Sequence, residues 1–230
     1  IRSSMPRSFN IPVGLNSAVC SETISTVFGT NSIYSFHKTG ASASIDIRVN
    51  NNTQNLSIGS NTYGIPYDRI GGSTITNGNV EGDFIEVLLF NSRLNSAQII
   101  IVENYLSAKY AGITTPNDIY DEDNVGNGNY DHEVAGIGRV DASNMHDDAQ
   151  GTGIVRISTP MGLDDNEFLM WGHNNGIQAA TNSTDVPAAL QARFDRVWRV
   201  SEVNFSNTAV DVGSINISFD LTGLGPVTAS

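Results

Sequence analysis

Residues 82–112 read GDFIEVLLFNSRLNSAQIIIVENYLSAKYAG, and their reading decides the fold. Phe84 to Phe90 is a continuous apolar run broken once, by Glu86, the pattern of a strand with both faces largely covered. A polar turn, Asn91 to Leu94, follows. Asn95 then stands three residues before Gln98, which is capping-box spacing at a helix start. Ile101, Val102, Tyr105, Leu106 and Ala108 or Lys109 recur at i, i+3, i+4 and i+7 and give a helix one apolar face. Gly112 sits where a glycine ends such a helix. No other stretch has a comparable helical period, and most of what flanks this one reads as β.

Upstream, Thr23 to Phe28 and Ile33 to His37 are strand candidates. Ala43 to Val49 alternates strictly, Asn50-Asn51-Asn52 turns the chain, and Leu56 to Ile58 pairs back. Asn77-Gly78 signals a tight turn. Downstream, Thr114-Thr115-Pro116-Asn117 reads as a linker, and residues 117–133 are acidic and rich in Gly and Asn. Strands are then expected at Val134 to Val140, Gly153 to Ser158, Glu167 to Trp171, Arg193 to Val203 and Ser214 to Leu221. A short helix is expected within 181–192, capped by Asp185 before Pro187.

The strand, turn and helix of 82–112 resemble the C-terminal end of a laminin-G/concanavalin A-like jelly roll, as found in large secreted proteins of the Bacteroidota. YDHEVAGIGRVDAS, FLMWGHNNG and RVWRVSEV, in that order, resemble an uncharacterised β-domain that accompanies such jelly rolls. The resemblance implies an exported protein, extracellular or on the cell surface, sent out by the type IX route. It also implies that the chain is a piece of a longer polypeptide. The expected fold is therefore mainly β: a jelly-roll portion over residues 1–112, including the helix, then a second antiparallel β-sandwich over 113–230, with the amphipathic helix joining them.

The composition agrees with a β protein. Of 230 residues, 39% are hydrophobic, enough for a globular core. The formal net charge of −12 argues against binding phosphate backbones. Cys20 is the one cysteine, so no intrachain disulfide forms. No stretch reaches the roughly 18 apolar residues that a membrane span needs.

The densest candidate chemistry is the acidic loop. Asp121, Asp123, Asn124 and Asp131 are oxygen ligands of the kind calcium takes. Val125 and His132 stand where an EF-hand loop needs oxygen donors, so the loop is not that motif. For sugar binding, an aromatic platform beside Asn or Asp suits a lectin-type site. Tyr34, Phe36, His37, Tyr63, Tyr67 and Asp68 are available, and Tyr63, Tyr67 and Asp68 on one loop are the preferred set. Glu81, Asp83 and Glu86 match the E-x-D-x-x-E spacing of one jelly-roll glycosidase family. Glu81 and Glu86 would point to opposite faces of a regular strand, so catalysis there is not expected. His37, His132, His146 and His173 form no H-E-x-x-H, no G-x-S-x-G occurs, and Gly136-Ile137-Gly138 lacks the third glycine of a nucleotide loop. In WGHNNG, Trp171 is expected to anchor a core edge while His173, Asn174 and Asn175 build a turn. In RVWRVSE, Trp198 is expected to be buried, with Arg196 and Arg199 paired to carboxylates on a neighbouring strand.

The expected function is non-catalytic: adhesion or glycan recognition, assisted by calcium, with an extracellular glycan or a neighbouring surface protein as partner. The alternatives are a stalk or filament module that self-associates, and an accessory domain of a polysaccharide-degrading enzyme.

Overall fold

A computed structural model describes residues 7–13, 18–24, 31–38, 44–50, 52–57, 83–151, 153–188 and 192–224. The chain is mainly β, every strand pairing is antiparallel, and one α-helix occurs among the described residues. It divides into two compact units, Ile1–Leu94 and Asn95–Ser230.

Among the described residues, the first unit contains two small sheets. Strands β1 (Arg7–Val13) and β2 (Ala18–Ile24) pair as a hairpin. Strands β3 (Tyr34–Lys38), β4 (Ser44–Val49) and β5 (Asn52–Ser57) form a meander in the order β3-β4-β5. The β4–β5 turn uses Asn50 at φ +46, a left-handed conformation that asparagine tolerates. Asn50 also accepts the Ile33 amide through its side chain at 2.9 Å. The expected hairpin around Asn50–Asn52 is present.

The expected strand Phe84 to Phe90 is not. Residues 83–90 have no regular secondary structure, and Phe84, Ile85, Val87, Leu88, Leu89 and Phe90 are all exposed, Leu89 by 70%. A strand exists through its ladder, and no described strand pairs with this run. Its apolar pattern states a preference for burial that the described residues do not satisfy.

The second unit begins with helix α1 (Ser96–Lys109). The expected capping box is present: Asn95 Oδ1 accepts the Gln98 amide and Gln98 Oε1 accepts the Asn95 amide, each at 3.0 Å. The chain leaves the helix through Gly112 at φ +84. The helix was expected to close the first domain at residue 112. It belongs instead to the second unit, because its buried face packs on the sheet that follows it.

That sheet has the order β13-β10-β6-β7, built from β6 (His132–Asp141), β7 (Asn144–His146), β10 (Glu167–His173) and β13 (Trp198–Asn204). A three-stranded sheet, ordered β14-β9-β8, consists of β8 (Asp148–Gln150), β9 (Val155–Ser158) and β14 (Asn216–Phe219). Period-two alternation sends successive side chains of β6 and β10 to opposite faces. Val134, Phe168 and Met170 meet Ala97, Ile100 and Ile101 of the helix. Ala135, Ile137, Leu169 and Trp171 meet Val155 and Ile157 of the other sheet. The larger sheet is therefore a middle layer between helix and sheet, which is why residues 168–171 of β10 are apolar without a break. Gly136 and Gly138 leave room for Met170 and Phe168, so GIG is a packing motif.

The helix's buried face also holds a polar residue. Asn104 is 0% exposed and uses all four of its hydrogen-bonding positions. Its amide donates to Ile100 O at 2.9 Å and Asn117 O at 2.7 Å, and its oxygen accepts from Ile119 N at 2.9 Å and Tyr120 N at 3.1 Å. One side chain thus fastens the irregular segment after the helix, and with it Ile119 and Tyr120 enter the core. The helix expected within 181–192 is replaced by a two-residue ladder between β11 (Thr181–Asn182) and β12 (Arg193–Phe194). Asp185 stands at φ +57, which no helix N-cap adopts.

Candidate functional site

The three downstream motifs converge on one cluster. Glu133 from YDHEVAGIGR, His173 from FLMWGHNNG and Arg196 from RVWRV meet at a single carboxylate oxygen. His173 Nε2 donates to Glu133 Oε2 at 2.8 Å, and Arg196 Nη1 donates to the same atom at 3.2 Å. Local backbone geometry produces the meeting. The pairing of β10 with β6 shifts register between Trp171 and His173, and Glu133 stands at φ +51. This β-bulge turns the Glu133 side chain to the His173 side of the sheet.

His173 is 2% exposed. Its Nδ1 accepts the Asn175 amide at 3.0 Å. A backbone amide only donates, so the neutral ring carries its proton on Nε2, where the Glu133 carboxylate accepts it. Burial lowers the His173 pKa; the bond to Glu133 opposes that, and the Arg196 charge reinforces it. The surrounding groups continue the network. Asn174 Oδ1 accepts the Gly176 and Val197 amides, and Gly176 O accepts Arg196 Nε. His132 stacks on His173 with centroids 5.8 Å apart and pairs through Nδ1 with Asp131 at 2.5 Å. The expected turn at His173–Asn175 is thus present, and both arginines are paired, but not across to a neighbouring strand: Arg196 meets Glu133 on β6, beyond β10, and Arg199 meets Glu122 of a 3₁₀ turn at 2.9 Å. Trp171 lies fully in the core, but Trp198 is half-buried, placed edge-on between His173 and Phe219.

The proposed calcium ligands lie apart in their bonding. Asp121 and Asp123 belong to a 3₁₀ turn, Asp121–Asp123. Asp121 accepts a bond from Asn207 Nδ2, Asn124 Oδ1 accepts the Gly126 amide, and Asp131 is held by His132. Among the described residues, no group of three or more His, Cys, Asp or Glu is arranged to hold a metal. The loop nevertheless stores repulsion: burial, followed by the charge of Asp118, pushes Asp123 up to about 6.

The preferred sugar-binding set, Tyr63, Tyr67 and Asp68, lies outside the described residues, as does Glu81 of the carboxylate spacing. Of the other aromatics, Tyr34 and Phe36 sit at i and i+2 of β3, on one face of the meander, and are exposed by 42% and 39%. Asp83 is exposed and Glu86 half-buried on the irregular segment. An open pocket of about 300 Å³ in the second unit is bordered by Arg139, Met145, Asp147, Met161 and Asp164.

Sequence reasoning missed Asn104 and the Glu133–His173–Arg196 junction. The signal for the first was a polar pair, Glu103 and Asn104, next to the turn of Ile100 and Ile101 on the buried side of the helix. For the second it was Glu, His and Arg, one in each of the three motifs.

A mainly β chain with a helix-backed antiparallel sandwich and an internally paired Glu-His-Arg junction is the class of protein that these features define. Residues 98–229 match the family described as Domain of unknown function (DUF8202), and the chain belongs to that family. The match begins inside helix α1, in keeping with the helix's place in the second unit. No curated protein and no solved structure matches the chain. No helix among the described residues is long and apolar enough to cross a membrane.

Proposed function

We propose that this chain is a non-catalytic segment of a bacterial surface or secreted protein that recognises extracellular glycans, with calcium as an aid. The observation that carries the reading is the exposed pair Tyr34 and Phe36 on one face of a small sheet. Two aromatic rings side by side present apolar surface of the kind that stacks on the C–H faces of sugars, at little entropic cost. The non-catalytic part is supported by the junction in the second unit. Both His173 nitrogens are committed inside the protein, and Glu133 Oε2 is shared by His173 and Arg196. The laminin-G-like resemblance supports the export and the carbohydrate class.

A glycan array probed with the purified chain tests this reading, run once with calcium and once with a chelator. Binding is expected to fall about tenfold or more in Tyr34→Ala with Phe36→Ala, and in Tyr63→Ala with Tyr67→Ala, since a lost stacking contact costs about 1 kcal/mol or more. Asp121→Ala with Asp123→Ala is expected to remove any calcium dependence of both binding and thermal midpoint. A chain that binds no glycan in either condition would refute glycan recognition.

A second reading, an assembling stalk or filament module, has its own observation: the exposed apolar run Phe84–Phe90. Contiguous exposed apolar surface of this kind marks interaction sites. Sedimentation of the chain over a range of concentrations is expected to show association that Leu89→Lys abolishes. A monomer at every concentration would remove this reading. The accessory-enzyme alternative would require hydrolysis by the chain that is lost in Glu86→Gln.

A further inference from the structure

We propose that His173 is a proton-operated latch: one proton added at Nδ1 releases the Asn174–Gly176 turn from the start of β13 and uncovers Trp198. Nδ1 faces a backbone N–H at 3.0 Å, and that amide is only a donor. Protonation puts a second N–H against it, so two donors oppose each other at a ring that is 2% exposed. Nε2 gives no relief, since it already donates to Glu133. The turn is not an isolated loop. Asn174 Oδ1 holds Val197 N and Gly176 O holds Arg196 Nε, so displacing Asn175 loosens the entry to β13, where Trp198 packs edge-on to His173.

The charged and titratable groups facing the ring are few. From β6 come Glu133, which favours the protonated ring, and His132 at 5.8 Å, itself paired with Asp131. From the segment before β13 comes Arg196, which disfavours it. Burial and Arg196 both oppose the charge, so the folded ring binds its proton more weakly than the unfolded one. Stability is then fully present above the unfolded value of about 6.5 and is lost as pH falls through the window below it. His146, also lowered by burial, adds in the same direction. Asp123, raised to about 6, acts with the opposite sign, because protonation relieves its repulsion as pH falls. The informative quantity is therefore the difference between the wild type and His173→Gln, in which those two contributions are common.

The test follows unfolding and acrylamide quenching of tryptophan emission in both proteins from pH 7.5 to 5. Trp171 is buried, so quenching reports Trp198. The wild-type unfolding constant is expected to rise relative to the variant by up to about tenfold per pH unit within the window, accompanied by stronger quenching. Should His173→Gln fail to fold, NMR of the wild-type chain replaces it. The His173 ring is expected as the Nε2–H tautomer at pH 7.5, and its titration should coincide with shifts of the Asn175 and Val197 amides. Equal acid profiles in the two proteins, a ring that stays neutral to pH 5, or a ring that titrates while those amides stay in place would each overturn the latch.

Discussion

Replacing Asn104 by leucine is expected to destabilise the second unit by about 3–5 kcal/mol, since each buried polar group left without a partner costs about 1–3 kcal/mol. Leucine keeps the branched skeleton of asparagine, with two methyl groups in place of the oxygen and the amide nitrogen, so the outline of the side chain is retained while its polar atoms are lost and its volume grows. What it cannot do is accept from the Ile119 and Tyr120 amides or donate to Asn117 O. The two amides are buried, Asn117 is half-buried, and the segment carrying them lies in no ladder that would offer replacements. A domain of this size holds only about 5–15 kcal/mol in total. The urea midpoint should therefore fall by a large fraction, with Ile119 and Tyr120 amides losing hydrogen-exchange protection first. Ile101→Val, on the same helix face, removes one methylene and should cost only about 1 kcal/mol. If Asn104→Leu cost no more than Ile101→Val, the polar fastening would be incidental and the apolar contacts sufficient.

The second large effect is expected at Gly172. A Cβ there would lie 2.3 Å from Tyr130 O, 2.6 Å from Tyr120 Oη and 3.0 Å from Val134 Cγ2. The first obstacle is backbone, which cannot rotate away as a side chain can. The second is the hydroxyl that donates to Tyr130 O at 2.9 Å, so relief of one clash breaks a bond between the others. Gly172→Ala should cost about 3 kcal/mol or more, the upper end of overpacking in a closed core. Gly112→Ala is the useful comparison. It has open space around it but φ +84, so only the backbone penalty of about 1 kcal/mol applies. Thermal midpoints of the two variants separate these causes. Equal shifts would mean that the close approach at Gly172 relaxes freely.

These two residues show where sequence reading ends. Local rules identified the capping box at Asn95 and Gln98, the hairpin around Asn50, and β6, β9, β10 and β14 within a few residues, while the strand expected over Arg193 to Val203 divides into β12 and β13. Each of those depends on neighbours within about four positions or on a period of two, so the chain displays it directly. The turn at His173–Asn175 was legible for the same reason, since its bonds span two residues. The helix at 181–192 failed because a cap signal with no apolar face behind it is weak, and a ladder to residues 193–194 took its place.

The rest was decided at a distance. Phe84–Phe90 has the apolar content of a buried strand, but burial requires a partner, and the described fold supplies none. Helix α1 reads from the sequence as the end of the first domain; its packing against Val134, Phe168 and Met170 lies in the second unit. Glu133 and Arg196 are 63 residues apart and pair only because a bulge turns one side chain to meet the other. By itself the sequence determined a mainly β chain, its acidic character, one capped helix and three compact motifs. Tertiary structure alone decided which face of each element is buried and which polar groups meet, because hydrogen bonds and burial across a core depend on register between strands that no local pattern encodes.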